Sequence, residues 1–141
     1  MKQLPQTKSP LVLRTDFSNQ TAWEAIYAAT QVPVGIFRFR ANVQFLDDIN
    51  YAGISKDQIL QLTSKNYNHS FIVIADQITM THPEHPLMVV DLFEGSGRAF
   101  RATPSTIQAI ENNLSIANMD FDDFAEAVGE DGVFRGFSRD V

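Results

Sequence analysis

Phe71-Ile72-Val73-Ile74-Ala75 is a continuous apolar run of strand length. A run without alternation suits a strand covered on both faces. Leu87-Met88-Val89-Val90 is a second such run. Glu94-Gly95-Ser96-Gly97 is a turn signal, and Ala99-Phe100-Arg101-Ala102 follows it, so residues 87–102 read as a hairpin.

Upstream, Leu11-Val12-Leu13-Arg14-Thr15 is a β-prone run and the expected first strand, broken by Asp16, Ser18 and Asn19. Trp23, Ile26, Tyr27 and Thr30 then share one face of a helix. Thr21 and Glu24 have capping-box spacing, with Asn19 as the alternative cap. Pro33 and Gly35 end that helix. Ile36 to Leu46 alternates in part, through Phe37, Phe39, Val43 and Phe45, and reads as one or two strands closed by Asp47-Asp48. Ser55 and Gln58 open a second helix, with Ile54 and Ile59 at staple positions and Leu62 continuing the buried face.

Downstream, Thr103-Pro104 starts a helix lined by Ile107, Ile110, Leu114 and Ala117. Asn118 or Asp120 caps the next, whose stripe is Phe121, Phe124, Ala125 and Val128, with Gly129 and Gly132 as stops. Val133 to Phe137 reads as an edge strand. The expected fold class is therefore α/β, with α+β as the alternative: a mixed sheet of five or six strands with three or four helices. Strand–helix alternation in the first half predicts parallel pairing, and the hairpin adds an antiparallel part. Residues 1–9 read as a flexible N-terminal arm and residues 10–141 as a single domain. A chain of 141 residues buries roughly 68–70% of its unfolded surface, enough to fold without a disulfide or structural metal.

The chain has no cysteine, which excludes a disulfide scaffold, thiol catalysis and cysteine-ligated zinc. Met1 to Pro10 carries two lysines and no apolar run, so no signal peptide is expected. No stretch approaches the roughly 18 apolar residues of a membrane span. A cytoplasmic protein with no cofactor is the expectation. The net charge of −6 disfavours nucleic-acid binding, which needs clustered Lys and Arg.

Several expected strands run into aspartate: Asp16, Asp47-Asp48 and Asp76, while Asp91 interrupts another. Carboxylates converging at strand ends could hold Mg²⁺; against this, Asp commonly starts turns and caps helices there. His82-Pro83-Glu84-His85-Pro86 places two imidazoles and a carboxylate close together. Its prolines forbid the helix on which a paired-histidine metal site depends, so a rigid connection between strands is the simpler reading. His69 joins that set only if the fold brings its strand start back to it. Asp16, Asp76, Asp91, His82 and His85 thus form a weak alternative metal set, and no metal is expected. Nucleophile-elbow, dinucleotide and phosphate-loop motifs are absent from the sequence.

The strongest electrostatic feature lies between Ala102 and Phe134, which holds no Lys or Arg but contains Glu111, Asp120, Asp122, Asp123, Glu126, Glu130 and Asp131. Early acids suit the positive end of a helix dipole, but Glu126, Glu130 and Asp131 come too late to serve it. Asp120, Asp122, Asp123, Glu126, Glu130 and Asp131 are therefore the candidate surface for a basic protein partner. A merely solvated face is the rival explanation.

Leu11-Val12-Leu13-Arg14-Thr15-Asp16-Phe17, His82-Pro83-Glu84-His85-Pro86, Asn112-Asn113-Leu114-Ser115-Ile116-Ala117-Asn118-Met119-Asp120-Phe121 and Gly132-Val133-Phe134-Arg135-Gly136-Phe137 occur together. With them the chain, from about Leu11 to Phe137, resembles a family of small bacterial proteins known only as a domain of unknown function. The resemblance implies a bacterial, cytoplasmic, single-domain protein and transfers no catalytic residue, cofactor or activity. The expectation for function is a protein-binding or regulatory module, of inhibitor or immunity type, using the acidic surface. The alternative is a metal-dependent hydrolase using the strand-end aspartates.

Overall fold

The computed structural model describes residues 2–137. The elements in chain order are β1 (Leu11–Arg14), α1 (Gln20–Gln31), β2 (Gln44–Leu46), α2 (Lys56–Asn66), β3 (Phe71–Ala75), α3 (Gln77–Thr81), β4 (Leu87–Asp91), β5 (Ala99–Ala102), α4 (Ile107–Leu114), α5 (Phe121–Ala125) and β6 (Val133–Phe134). The strands form one six-stranded mixed sheet in the order β2-β1-β3-β4-β5-β6. β1 pairs in parallel with β2 and β3, β4 runs antiparallel to β3 and β5, and β6 is parallel to β5. This is the α/β class expected.

The apolar run 71–75 needs no polar alternation because both faces of β3 are covered. Phe71, Val73 and Ala75 enter a core with Trp23, Ile26, Ile107, Ile110 and Phe124. Ile72 and Ile74 enter the opposite core with Tyr51, Ile59 and Leu62. The 87–102 hairpin forms with Val89 opposite Phe100. Its turn needs glycine at Gly97, where φ is +66 and a Cβ would meet Leu60 Cδ1 at 2.9 Å.

Local capping chemistry fixes the helix starts. Asn19 Oδ1, not Thr21, accepts from Ala22 N at 2.9 Å and caps α1. Ser55 and Gln58 form the capping box expected at α2. Asp76 caps α3, a short helix not anticipated from periodicity.

Three readings need correction. In the 36–46 region only Gln44–Leu46 is a strand, and Val34 and Phe39 make an isolated bridge. Ile36, Phe37 and Phe39 are 90%, 75% and 55% exposed. The chain is instead bound to α4: Asn42 N donates to Glu111 Oε1 and Asn112 Nδ2 donates to Arg40 O. The helical segments in the acidic region are also shorter than their stripes. Ala117 lies beyond α4 with φ 55, and α5 stops at Ala125, short of Val128. The bonds Ala127 N to Phe124 O and Gly129 N to Val133 O turn the chain back towards β5, which leaves a last strand of two residues.

The third correction concerns the N-terminal arm, which is anchored rather than loose. Leu4 is 2% exposed and belongs to the core around Tyr51. Tyr51 Oη donates to Gln3 O at 2.6 Å, and Lys2 Nζ pairs with Asp48 at 2.6 Å. Leu4→Ala is expected to cost about 2–3 kcal/mol in urea denaturation, as for other emptied leucine sites. An unchanged midpoint would show that the arm does not hold the fold. Among the described residues no helix is long and apolar enough to cross a membrane.

Candidate functional site

The parallel strands define two ends of the sheet. At their carboxyl ends, where open α/β sheets ordinarily bind ligands, side chains of the chain itself pair with one another. Arg14 is buried, with its guanidinium 4.4 Å from the Phe17 ring centroid and 5.2 Å from that of Trp23. It donates to Gln20 Oε1 at 2.9 Å and to Asp47 Oδ1 at 3.2 Å. Between β1 and β3, Thr15 N donates to Ala75 O at 2.9 Å. Asp76 receives two bonds from Arg101, at 2.9 and 2.7 Å, and one from Thr79 N at 3.2 Å. Burial opposes ionisation of Asp76, but Arg101 and the Thr79 amide outweigh it and hold the carboxyl below the ordinary aspartate range.

The histidine loop reaches the same end and is equally occupied. His82 Nδ1 accepts from Glu84 N at 3.0 Å, and His85 Nδ1 donates to Thr79 O at 2.9 Å. Glu84 is held by Arg135 through two bonds of 2.8 Å. Arg135 also binds Asp131, so hydrogen bonding to that guanidinium lowers both carboxyls, Asp131 to about 2. Asp16 turns towards Ser18 N at 3.0 Å.

The sheet therefore separates the alternative metal set. Asp16, Asp76, His82 and His85 belong to the carboxyl end, whereas Asp91 ends the antiparallel β4 opposite Phe71, at the start of β3. His69 is also at that far end, with Nε2 donating to Thr7 O at 2.9 Å. Among the described residues no three His, Asp or Glu side chains are grouped to hold a metal ion.

The open space lies at this strand-start end. An apolar cleft of about 460 Å³ is lined by Phe93, Leu114, Met119 and Phe121, with Asp120 and Asp122 in its wall. Its floor is tied by Asp91, which accepts from Phe93 N at 3.1 Å, Ser96 Oγ at 2.8 Å and Arg98 at 3.1 Å. Arg98 lies 5.2 Å from the Phe121 ring centroid and also pairs with Asp122. Phe93 is 66% exposed. A neighbouring pocket of about 440 Å³ shares Ser70 and Leu114 and is polar, with Asn42, Asn68, His69, Ser115 and Glu111 in its walls.

All six acids of the expected partner surface are exposed. Several also serve the fold: Asp120 is the N-cap of α5, and Asp123 Oδ2 accepts from Asp120 N at 2.8 Å. Asp122 pairs with Arg98, which the fold brings back to the base-free segment, and Asp131 pairs with Arg135, four residues further along the chain. Glu126 and Glu130 make no ion pair among the described residues.

Sequence reasoning counted Glu111 only among the acids of the base-free segment and gave it no role, yet it is buried. The signal was in the helix phase: Glu111 follows Ile107 by four residues and precedes Leu114 by three, which places a carboxylate inside the apolar stripe.

Fold and site together define a single-domain mixed α/β protein whose clefts open at the strand-start end of its sheet. The chain belongs to the family described as Domain of unknown function (DUF6924), whose model matches residues 9–137. No curated protein matches it.

Proposed function

We propose that this protein is a protein-binding module that engages a basic partner through the acidic surface and the apolar cleft beside it. The observation that carries this reading is their juxtaposition. Asp120 and Asp122 stand in the wall of a cleft that also holds Phe93, Leu114, Met119 and Phe121. An apolar centre with a charged rim is the usual anatomy of a protein interface. Here the acids select a basic partner and speed its approach, while the apolar side chains supply affinity. Glu126 and Glu130, unpaired among the described residues, extend the negative surface without a task in the fold. An inhibitor or immunity-type role, in which the module covers a basic active site, fits this chemistry.

The test uses Glu126→Lys combined with Glu130→Lys, which leaves every described ion pair in place. Affinity capture from the native cell, with the partner identified and its binding then measured with purified proteins, is expected to show at least a tenfold loss for the double variant. Its melting temperature should stay within about 2 °C of wild type, as for surface substitutions. Raising salt should slow association of the wild type, since exposed charges are screened beyond roughly 8 Å at physiological ionic strength. Equal binding by the double variant would reduce the acidic surface to a solvated face.

A further inference from the structure

We propose that the polar pocket around Glu111 binds an organic cation, a guanidinium or primary ammonium group. Three charged side chains are buried among the described residues: Arg14, Asp91 and Glu111. Arg14 pairs with Asp47, and Asp91 pairs with Arg98. Glu111 has no ion-pair partner among the described residues. A buried carboxylate is costly unless hydrogen bonds and an opposite charge compensate it. The hydrogen bonds are present, since Glu111 Oε1 accepts from Asn42 N at 2.6 Å and from Asn112 Nδ2 at 2.8 Å. An opposite charge within ion-pair distance is what Glu111 lacks.

The second carboxylate oxygen points to where that charge would sit. Both described hydrogen bonds of Glu111 use Oε1, and no fully buried side-chain polar atom lacks a partner. Oε2 therefore keeps some solvent access, and Glu111 lines this pocket. Asn42, Asn68, Ser70 and Ser115 add amide and hydroxyl groups able to accept from a donor-rich cation. His69 spends Nε2–H on Thr7 O, which leaves Nδ1 as an acceptor in the neutral ring. The volume, about 440 Å³, lies within the range of small-ligand sites. The exposed Lys8 also stands in the pocket wall, outside ion-pair distance of Glu111, and its ammonium is the internal competitor for the same place.

This assignment stands apart from the acidic surface, because the cation can belong to a free small molecule as well as to a partner's side chain. The test titrates the full chain with agmatine, with butylurea, a neutral urea isostere of its guanidinium end that carries no ammonium, and with the tripeptide amide acetyl-Gly-Arg-Gly, using calorimetry and melting temperature. Agmatine at ten times its dissociation constant is expected to raise the melting temperature by roughly 3–5 °C, and the urea isostere should leave it unchanged. Glu111→Gln keeps the Oε1 acceptor and should abolish the shift while melting cooperatively. Lys8→Met should bind agmatine as tightly as wild type or more so. Tighter binding of agmatine than of the tripeptide identifies a free ligand, and the reverse identifies a partner's arginine. The Glu126→Lys, Glu130→Lys protein should still bind agmatine, so failure of the acidic-surface reading does not imply failure here. Absence of any shift with both cationic probes, or equal shifts with the urea isostere, would overturn the assignment whatever Glu111→Gln does.

Discussion

Phe124→Ala is expected to remove about 3–5 kcal/mol of stability, the usual cost of emptying a core aromatic site. Phe124 is fully buried although α5 has only five residues. Its ring meets Phe134 edge-on, with centroids 5.4 Å apart, and lies 5.5 Å from Phe137. Phe134 belongs to the two-residue edge strand, which has few ladder bonds of its own and depends on that aromatic contact. The loss would loosen α5 and β6 together. Against a whole-domain stability of about 5–15 kcal/mol, the variant should show a greatly lowered urea midpoint. Phe124→Leu, which keeps much of the volume, should retain most of the stability. A cost under about 1 kcal/mol for the alanine variant would show that α5 does not pack on the sheet as described.

Asp76→Ala is expected to cost about 2–4 kcal/mol, because it removes the cap of α3 and leaves a largely buried arginine without its carboxylate. Arg101 keeps only its bond to Pro86 O, at 3.1 Å, among those it makes beside Asp76. The same pair predicts an acid limb in stability. The carboxyl of Asp76 is lowered in the folded state from the ordinary 3.8. A group lowered by folding stabilises above its unfolded value, and that contribution fades as pH falls through the folded one. Wild-type stability should therefore decline below about pH 4. Asp76→Asn should be less stable at neutral pH and should decline less steeply below pH 4. Glu84 and Asp131, both lowered by Arg135, keep some slope in the variant. Denaturation midpoints taken between pH 2 and pH 7 decide the matter: parallel curves for the two proteins would mean that the Asp76–Arg101 pair does not form.

Elements whose signal is local were legible in the sequence. The unalternating runs 71–75 and 87–90 are strands covered on both faces, and the glycine-marked turn joins β4 to β5. Ser55 and Gln58 make the expected box because a capping box needs only residues three apart. The 36–46 segment misled for the opposite reason. Alternation states that a strand is compatible, but β1 offers a partner only to 44–46, and α4 takes Asn42 and Asn112 takes Arg40. Leu4 looked isolated in a polar arm, and only the Tyr51 core far along the chain makes it a buried side chain.

The sequence by itself determined the α/β class, the hairpin, most strand positions and the acid-rich, base-free stretch, because each is written in periodicity, turn chemistry or charge within a few residues. Tertiary structure alone decided which charges meet. Arg98 folds back onto the acidic stretch, Arg135 reaches Glu84, Asp76 closes on Arg101, and Asp91 is carried to the other end of the sheet because β4 runs antiparallel to β3. It also left Glu111 buried with no ion-pair partner among the described residues. Burial and ion pairing depend on strand order and on which helix covers which face, and those are set by contacts between segments tens of residues apart.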